Sequence, residues 1–336
     1  MTSQTQKKFF TQISPRVWEH PADHAALAAL KQVPGVNEMI RFFIGATSEK
    51  SLKLFFLAGS VRVTERQFPR VHTLLEEACT VLDAPEKPDI FVTQNPMMNA
   101  GAIGVDHPFI TINSSLLERL DDEELLCVIG HELGHIMSGH VLYKTLLWLL
   151  LNVSTVMVQL PLGMLAIQAV LAALREWDRK SELSADRAGL LVVQNPDASY
   201  RTLMKIAGGS DIGQMNMEEF FAQAEEYDSS GNLVDGVYKL LNLLGQSHPF
   251  PVLRLAGIHQ WVTAGSYQAI VDGTYARRDA GEQEDIMKEF QEAANQYRED
   301  IKNSKDPLAQ AVRAFSDNVE NATREAETFL RSVFKK

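Results

Sequence analysis

Hydrophobic positions change period several times along the chain, and each change marks an element. From Gln67 the run QFPRVHTLLEEACTVLDAP carries apolar residues at helical spacing and stops at Pro85, which predicts a helix. Upstream, Met1 to about Pro69 alternates helix-like stretches with breaks. In PADHAALAALKQVPG, Asp23 is placed to cap a short helix that ends near Pro34-Gly35. Downstream, DIFVT and FITIN are short, β-branched and bounded by Pro, Asn and Gly, so both predict strands. NAGAIGV between them predicts a third, weaker strand, and the three make a small sheet rather than a βαβ array. LDDEELLCVIGHELGHIMSGHVLYK then opens on an Asp cap with acids in the first turn. Its apolar residues Leu125, Leu126, Ile129, Leu133, Ile136 and Met137 recur as a buried helix requires.

From Thr145 to Leu174 no residue is charged, and Pro161 and Gly163 sit in the middle. Helical character returns at REWDRKSELSADRAGLLVVQ, and residues 197–275 read as helices with loops. After about Ala276 the chain is charged and rich in Glu, Asn and Gln, with amphipathic spacing, as in a solvated helical appendage or a partner-binding segment. The pattern divides the chain into an N-terminal helical region (1–70), a central domain (71–275, with 145–174 as an apolar hairpin insertion) and a charged helical tail (276–336). The fold class it predicts is α+β, mostly α.

Composition narrows the partners. The chain of 336 residues is long enough for one large domain or two small ones, and 45% hydrophobic with 22% charged residues is ordinary for a soluble globular protein. A net charge of −11 argues against nucleic acid. The two cysteines, Cys79 and Cys127, are far apart and form no motif, so they read as packed, reduced thiols, which fits the cytoplasm. The N-terminal MTSQTQKKFFTQISPR has too few consecutive apolar residues for a signal peptide.

The chemistry concentrates in His131-Glu132-Leu133-Gly134-His135. On a helix, residues four apart lie one turn apart on one face, so both imidazoles can reach one ion, and Glu132 beside them can take a proton from water. A glutamate and two histidines on a helix with a buried stripe need a purpose, because burying them unpaired is costly. A catalytic zinc takes three protein ligands and leaves one position open. No acidic residue lies between Glu132 and Glu176, and His140, five past His135, is turned well away from the ligand face and reads as a supporting or surface residue. The remaining candidates are Glu182 and Asp186, four apart on one helical face beside the small Ala185 and Gly189, which allow close helix packing. One of these carboxylates can bind the ion while the other orients a ligand imidazole. Exposed charge pairs on a helix surface would look the same in sequence.

NAGAIG, H-E-x-x-H, SELSAD and the later HPFPVLR occur in the order found in HtpX-like and CAAX-prenyl-protease-type zinc metallopeptidases, and the chain resembles that family from about Leu74 to Gln260. The resemblance implies a zincin-like fold with the small sheet next to the active-site helix and one zinc held by His131, His135 and Glu182. It makes Glu132 the general base, and it sets Asp186 against a ligand histidine. It also implies that Asn99, Ala100, Gly101 and Ala102 lie on an edge strand to which a peptide adds itself. His248 matches the late His-Pro, either as an oxyanion donor or as a cap that keeps the protease latent. Arg254, one or two turns later, is a candidate to pair with Asp186. The activity implied is zinc-dependent endoproteolysis of protein or peptide substrates, with a place in protein quality control. The alternative from another class is a zinc-stabilised peptide-binding chaperone or scaffold.

The uncharged run 145–174 raises the membrane question, since many relatives are membrane proteins. A single span would put His131 and Glu182 on opposite sides of a bilayer, so the run has to go out and come back. With reversal at Pro161-Leu162-Gly163 each arm is about 17 to 24 Å of helix, short of a hydrocarbon core of about 30 Å. Three fates stay open for it: burial against the N-terminal helices, homo-oligomerisation, or a dip into a membrane. The expectation is a cytoplasmic protein, with peripheral membrane contact as the alternative.

Overall fold

The computed structural model describes residues 7–31, 36–37, 40, 49–152, 164–229 and 250–280. The described helices are α1 (Pro21–Leu30), α2 (Glu49–Gly59), α3 (Pro69–Val81), α4 (Ser114–Arg119), α5 (Asp122–Met137), α6 (Val141–Asn152), α7 (Met164–Val193), α8 (Pro196–Gly208), α9 (Met217–Ser229), α10 (Pro251–Thr263) and α11 (Ser266–Val271). The strands are β1 (Val61–Arg62), β2 (Ile90–Thr93), β3 (Ala100–Ile103) and β4 (Phe109–Asn113). They form one mixed sheet in the order β1-β2-β4-β3, with β2 and β4 parallel and the outer pairs antiparallel. The architecture is α+β and mostly α. The two-residue β1 has no signal in the hydrophobic pattern; the three predicted strands are β2, β3 and β4.

Both faces of the sheet are buried, which explains why DIFVT and FITIN read as continuous apolar runs. Ile90, Val92, Ile110 and Ile112 face a core built with α3, α5, α8 and the C-terminal half of α7. Phe91, Ile103 and Phe109 face the other way, into a core of Ala26, Leu30, Leu52, Phe56, Leu146, Leu147, Leu150, Leu174 and Trp177. The described ends of the uncharged run therefore cover the back of the sheet, against α1 and α2. Its predicted reversal at Pro161–Gly163 lies outside the described residues, as does the tail beyond 280. Among the described residues no single helix is long and apolar enough to cross a membrane; α5 and α6 together pass on composition but are bent by 103°.

α5 is fixed at its start by a capping box: Asp121 accepts from the Glu124 N–H, and the Glu124 carboxylate accepts from the Asp121 N–H. Glu124 is fully buried and also receives Lys205 at 2.7 Å, which ties α5 to α8. Along its length α5 lies unusually close to α7. A Cβ at Gly134 would stand 2.5 Å from the Ala188 Cβ. One at Gly189 would stand 2.7 Å from the Cys127 carbonyl oxygen. The absence of side chains there sets the distance between the two helices, and that distance sets which groups can meet across them.

Replacing Gly134 by Ala should overpack this contact and lower stability by about 1–3 kcal/mol. Urea unfolding of the parent and variant measures it; an unchanged midpoint would mean the helices separate at no cost.

Candidate active site

His131 and His135 lie one turn apart on α5, both buried, their ring centroids 4.8 Å apart and nearly perpendicular. Glu182 of α7 faces them with both oxygens. Its Oε2 is 3.4 Å from His131 Nε2 and its Oε1 is 3.2 Å from His135 Nε2. Each histidine is tied from behind: His131 Nδ1 is 3.0 Å from Asp186 Oδ1, and His135 Nδ1 is 3.0 Å from His140 Nδ1. Asp186 is in turn gripped by Arg254 of α10, which donates from Nε at 2.8 Å and from Nη2 at 2.5 Å. Arg254 Nη1 also lies 3.2 Å from Glu182 Oε2. On the other side Lys144 of α6 donates to Glu182 Oε1 at 2.7 Å and to Asp178 Oδ1 at 2.8 Å.

This donor set fits a small dication. Ligand atoms of His131, His135 and Glu182 lie within 4.8 Å of one another. A tetrahedral ion with bonds of about 2.0–2.2 Å spaces its ligands by about 3.3–3.6 Å. The nitrogen–oxygen separations of 3.4 and 3.2 Å are close to such edges. Because both Nδ1 atoms are engaged behind, the Nε2 atoms point to the common space with Glu182. Two imidazoles and one carboxylate leave a fourth position, as catalytic zinc sites do.

The titration of the site follows from the same contacts. Burial alone would depress His131, but the hydrogen bonds to Asp186 and Glu182 outweigh it and raise its pKa to about 9. His135 goes the other way, lowered by burial and by the nearby Lys144 charge. Burial opposes ionisation of Asp186, yet Arg254 holds it below the usual carboxylate range. Lys144 is buried and still held above the usual lysine range by Asp178 and Glu182.

A small cavity of about 50 Å³ opens beside His131. Glu132 and His131 are on its wall, and Leu116, Val128, Leu203 and Ile206 make it largely apolar. Cys127 also lines it, its thiol pushed up to about 12 by burial and so inert as a nucleophile. Asn99 and Ala100 line the cavity at the outer strand β3; Gly101 and Ala102 continue that strand without lining it.

Two sequence expectations need correction. His140 does not continue the helix that carries His135. α5 ends at Ser138, Gly139 turns left-handed with φ of 69°, and the amides of Gly139 and His140 bond back to the carbonyls of Ile136 and His135. That helix ending brings His140 back beneath His135 instead of turning it away, so that of its two expected roles, supporting or surface, it takes the supporting one. Asp23 is not a cap: it lies inside α1, buried, with its carboxylate accepting from Trp177 and Ser184. Lys144 and Asp178 were not singled out from sequence. Lys144 had one signal, as the lone charge that opens a thirty-residue uncharged run; Asp178 had none. His248 lies outside the described residues.

Comparison with known proteins gives the family. Residues 65–262 match the model of peptidase family M48, and the chain belongs to that family. It is 35% identical over 260 residues to the plastoglobule-localized metallopeptidase 48, chloroplastic, of Arabidopsis thaliana, covering 76% of this chain and 74% of that one. It is 29% identical over 210 residues to protease HtpX homolog 1 of Streptomyces coelicolor, covering 55% and 69%. A protease HtpX homolog of Moorella thermoacetica is 28% identical over 176 residues, covering 45% and 58%. No solved structure matches the chain. The chain is thus an HtpX-like metallopeptidase by family.

Metal-free protein should lose stability as pH rises from about 6.5 to 9. His131 binds its proton more tightly folded than unfolded, so its contribution is full below its unfolded pKa and gone above about 9. Unfolding midpoints in a chelator across that range would show the fall, and a flat profile would contradict it.

Proposed function

We propose that this chain is a zinc-dependent metalloendopeptidase, with His131, His135 and Glu182 holding one zinc and Glu132 acting as general base. The observation that carries the proposal is the convergence of two Nε2 atoms and a carboxylate beside a cavity walled by Glu132. A bound zinc supplies Lewis acidity toward the attacking water and the scissile carbonyl. Glu132 takes a proton from that water as it attacks and hands it to the leaving amine nitrogen. Asp186 fixes the His131 ring by accepting from Nδ1, and Arg254 keeps Asp186 ionised for that purpose. The substrate backbone runs along β3 from Asn99 to Ala102, and the apolar cavity takes one of its uncharged side chains. The family resemblance offers His248, outside the described residues, as an oxyanion donor or as a cap.

Glu132→Gln should keep about one zinc per chain and lose peptide cleavage by several orders of magnitude, while Glu182→Ala should lose the zinc. Metal content by mass spectrometry and hydrolysis of a quenched peptide library test both. Cleavage retained by Glu132→Gln would sink the base assignment. A zinc-loaded parent that binds peptides without cutting any would favour the chaperone reading.

We further propose peripheral contact with a lipid surface. The outward side of the C-terminal half of α2 is apolar, beyond the exposed Lys50 and Ser51: Phe55 is 66% exposed, Leu54 53% and Leu57 44%, and Leu151 at the end of α6 is 45% exposed. Phe56 packs near Trp148, so α2 and α6 are joined. The printed name of the Arabidopsis relative places that protein at plastoglobules, and such a location suits an apolar face. With a net charge of −11 the contact would rest on apolar area rather than on anionic headgroups. Flotation with phosphatidylcholine vesicles should carry the parent and not Leu54→Ser/Phe55→Ser, with little effect of salt. Equal flotation of the two would remove α2 from the account.

A further inference from the structure

Behind the zinc-ligand candidate His135 runs a chain of buried hydrogen bonds that ends in the N-terminal region. His135 Nδ1 is 3.0 Å from His140 Nδ1, and His140 Nε2 is 3.0 Å from Asp23 Oδ2. Asp23 also accepts from Trp177 Nε1 at 3.0 Å, on Oδ1, and from Ser184 Oγ at 2.6 Å, on Oδ2. All of these groups are buried, and the Trp177 indole meets the His140 ring edge to face at 5.6 Å. Asp23 lies on α1, outside the residues 65–262 that match the family model.

We infer that His140 and Asp23 are positioning residues that set the tautomer of His135. The inference rests on the reading of His131, His135 and Glu182 as metal ligands. For His135 Nε2 to offer a lone pair, its proton must sit on Nδ1. That proton needs an acceptor, and the atom facing it is His140 Nδ1. His140 then carries its own proton on Nε2 and donates it to Asp23, which as a carboxylate only accepts. The polarity is forced in one direction, from the metal site outward to Asp23. The reverse polarity would put a proton on His135 Nε2 and close that atom to a metal. Helix α1 is therefore part of the metal site, through Asp23 and His140.

Asp23→Asn isolates the polarity from the packing. Trp177 is a donor only, so the single amide oxygen has to face it. The amide nitrogen then faces His140 and Ser184 and donates to them. His140 answers by accepting at Nε2 and moving its proton to Nδ1, where it meets the Nδ1 proton of His135. The shape of the side chain is unchanged, but the wrong tautomer is favoured at the ligand.

The test is zinc affinity of the full chain, measured by competition with a chromophoric chelator, so that its readout is independent of proteolysis. Asp23→Asn and His140→Ala should each weaken zinc by about 10–100-fold, the usual size of such supporting contacts. His140→Gln, which keeps an acceptor for His135 and a donor for Asp23, should stay close to the parent. Far-UV circular dichroism and metal-free unfolding midpoints check that the variants fold. Should His140→Ala fail to fold, Asp23→Asn decides alone. Parent-like affinity in Asp23→Asn would overturn the relay, and so would a His140→Gln variant as weak as His140→Ala. A parent that binds no zinc would instead overturn the metal reading on which the relay depends.

Discussion

The site depends on one contact, the close approach of α5 and α7. Two histidines on a single helix can point at an ion but cannot enclose it. The third donor has to come from another element, and a glutamate side chain is short. Gly134 and Gly189, together with the small Ala185 and Ala188, let the two helix backbones approach until Glu182 reaches both Nε2 atoms. A methyl group at either glycine would stand within 2.7 Å of an existing atom. The glycine inside H-E-L-G-H is thus a spacing device, with no role in proton transfer.

Bringing these groups together has a cost, because each is taken out of water. The structure offsets it in layers. Glu182 is flanked by Lys144 on one oxygen and Arg254 on the other. Asp186 supports His131 and is itself held by two donors from Arg254. His140 supports His135 and is held by Asp23. Four helices other than α5, namely α1, α6, α7 and α10, contribute to this arrangement. The metal-site candidates are therefore coupled to much of the helical fold, and a change far along the chain can reach them through hydrogen-bond polarity alone.

What the sequence could show follows from the range of each contact. His131, Glu132 and His135 are legible because their spacing is local, and Glu182 with Asp186 for the same reason on a second helix. The strands are legible because both faces of the sheet are buried, which makes their runs continuous; β1 was too short to leave a pattern. His140 is legible as a supporting residue but not in its direction, because the helix that would carry it away from His135 ends at Ser138 and Gly139. Asp23 looked like a cap because a short acid near a helix start usually is one. Its true partners, Trp177 and Ser184, are more than 150 residues away and are brought there only by tertiary packing. Lys144 stood out only as a charge at the edge of an uncharged run, and nothing local says that Glu182 would lie above it.

The uncharged run shows how one constraint narrows what composition leaves open. Thirty residues without a charge satisfy the composition of a membrane segment. But the residues just before the run and those just after it converge on one site, so the chain that leaves along α6 has to return along α7. At its described ends it does so by covering Phe91 and Phe109 on the back of the sheet. The turn at Gly139 sends α6 off at a steep angle to α5, which puts Lys144 over Glu182 and His140 under His135 at the same time. The apolar helix pair and the metal site are thus two consequences of one turn, and the burial of the first holds the second in register.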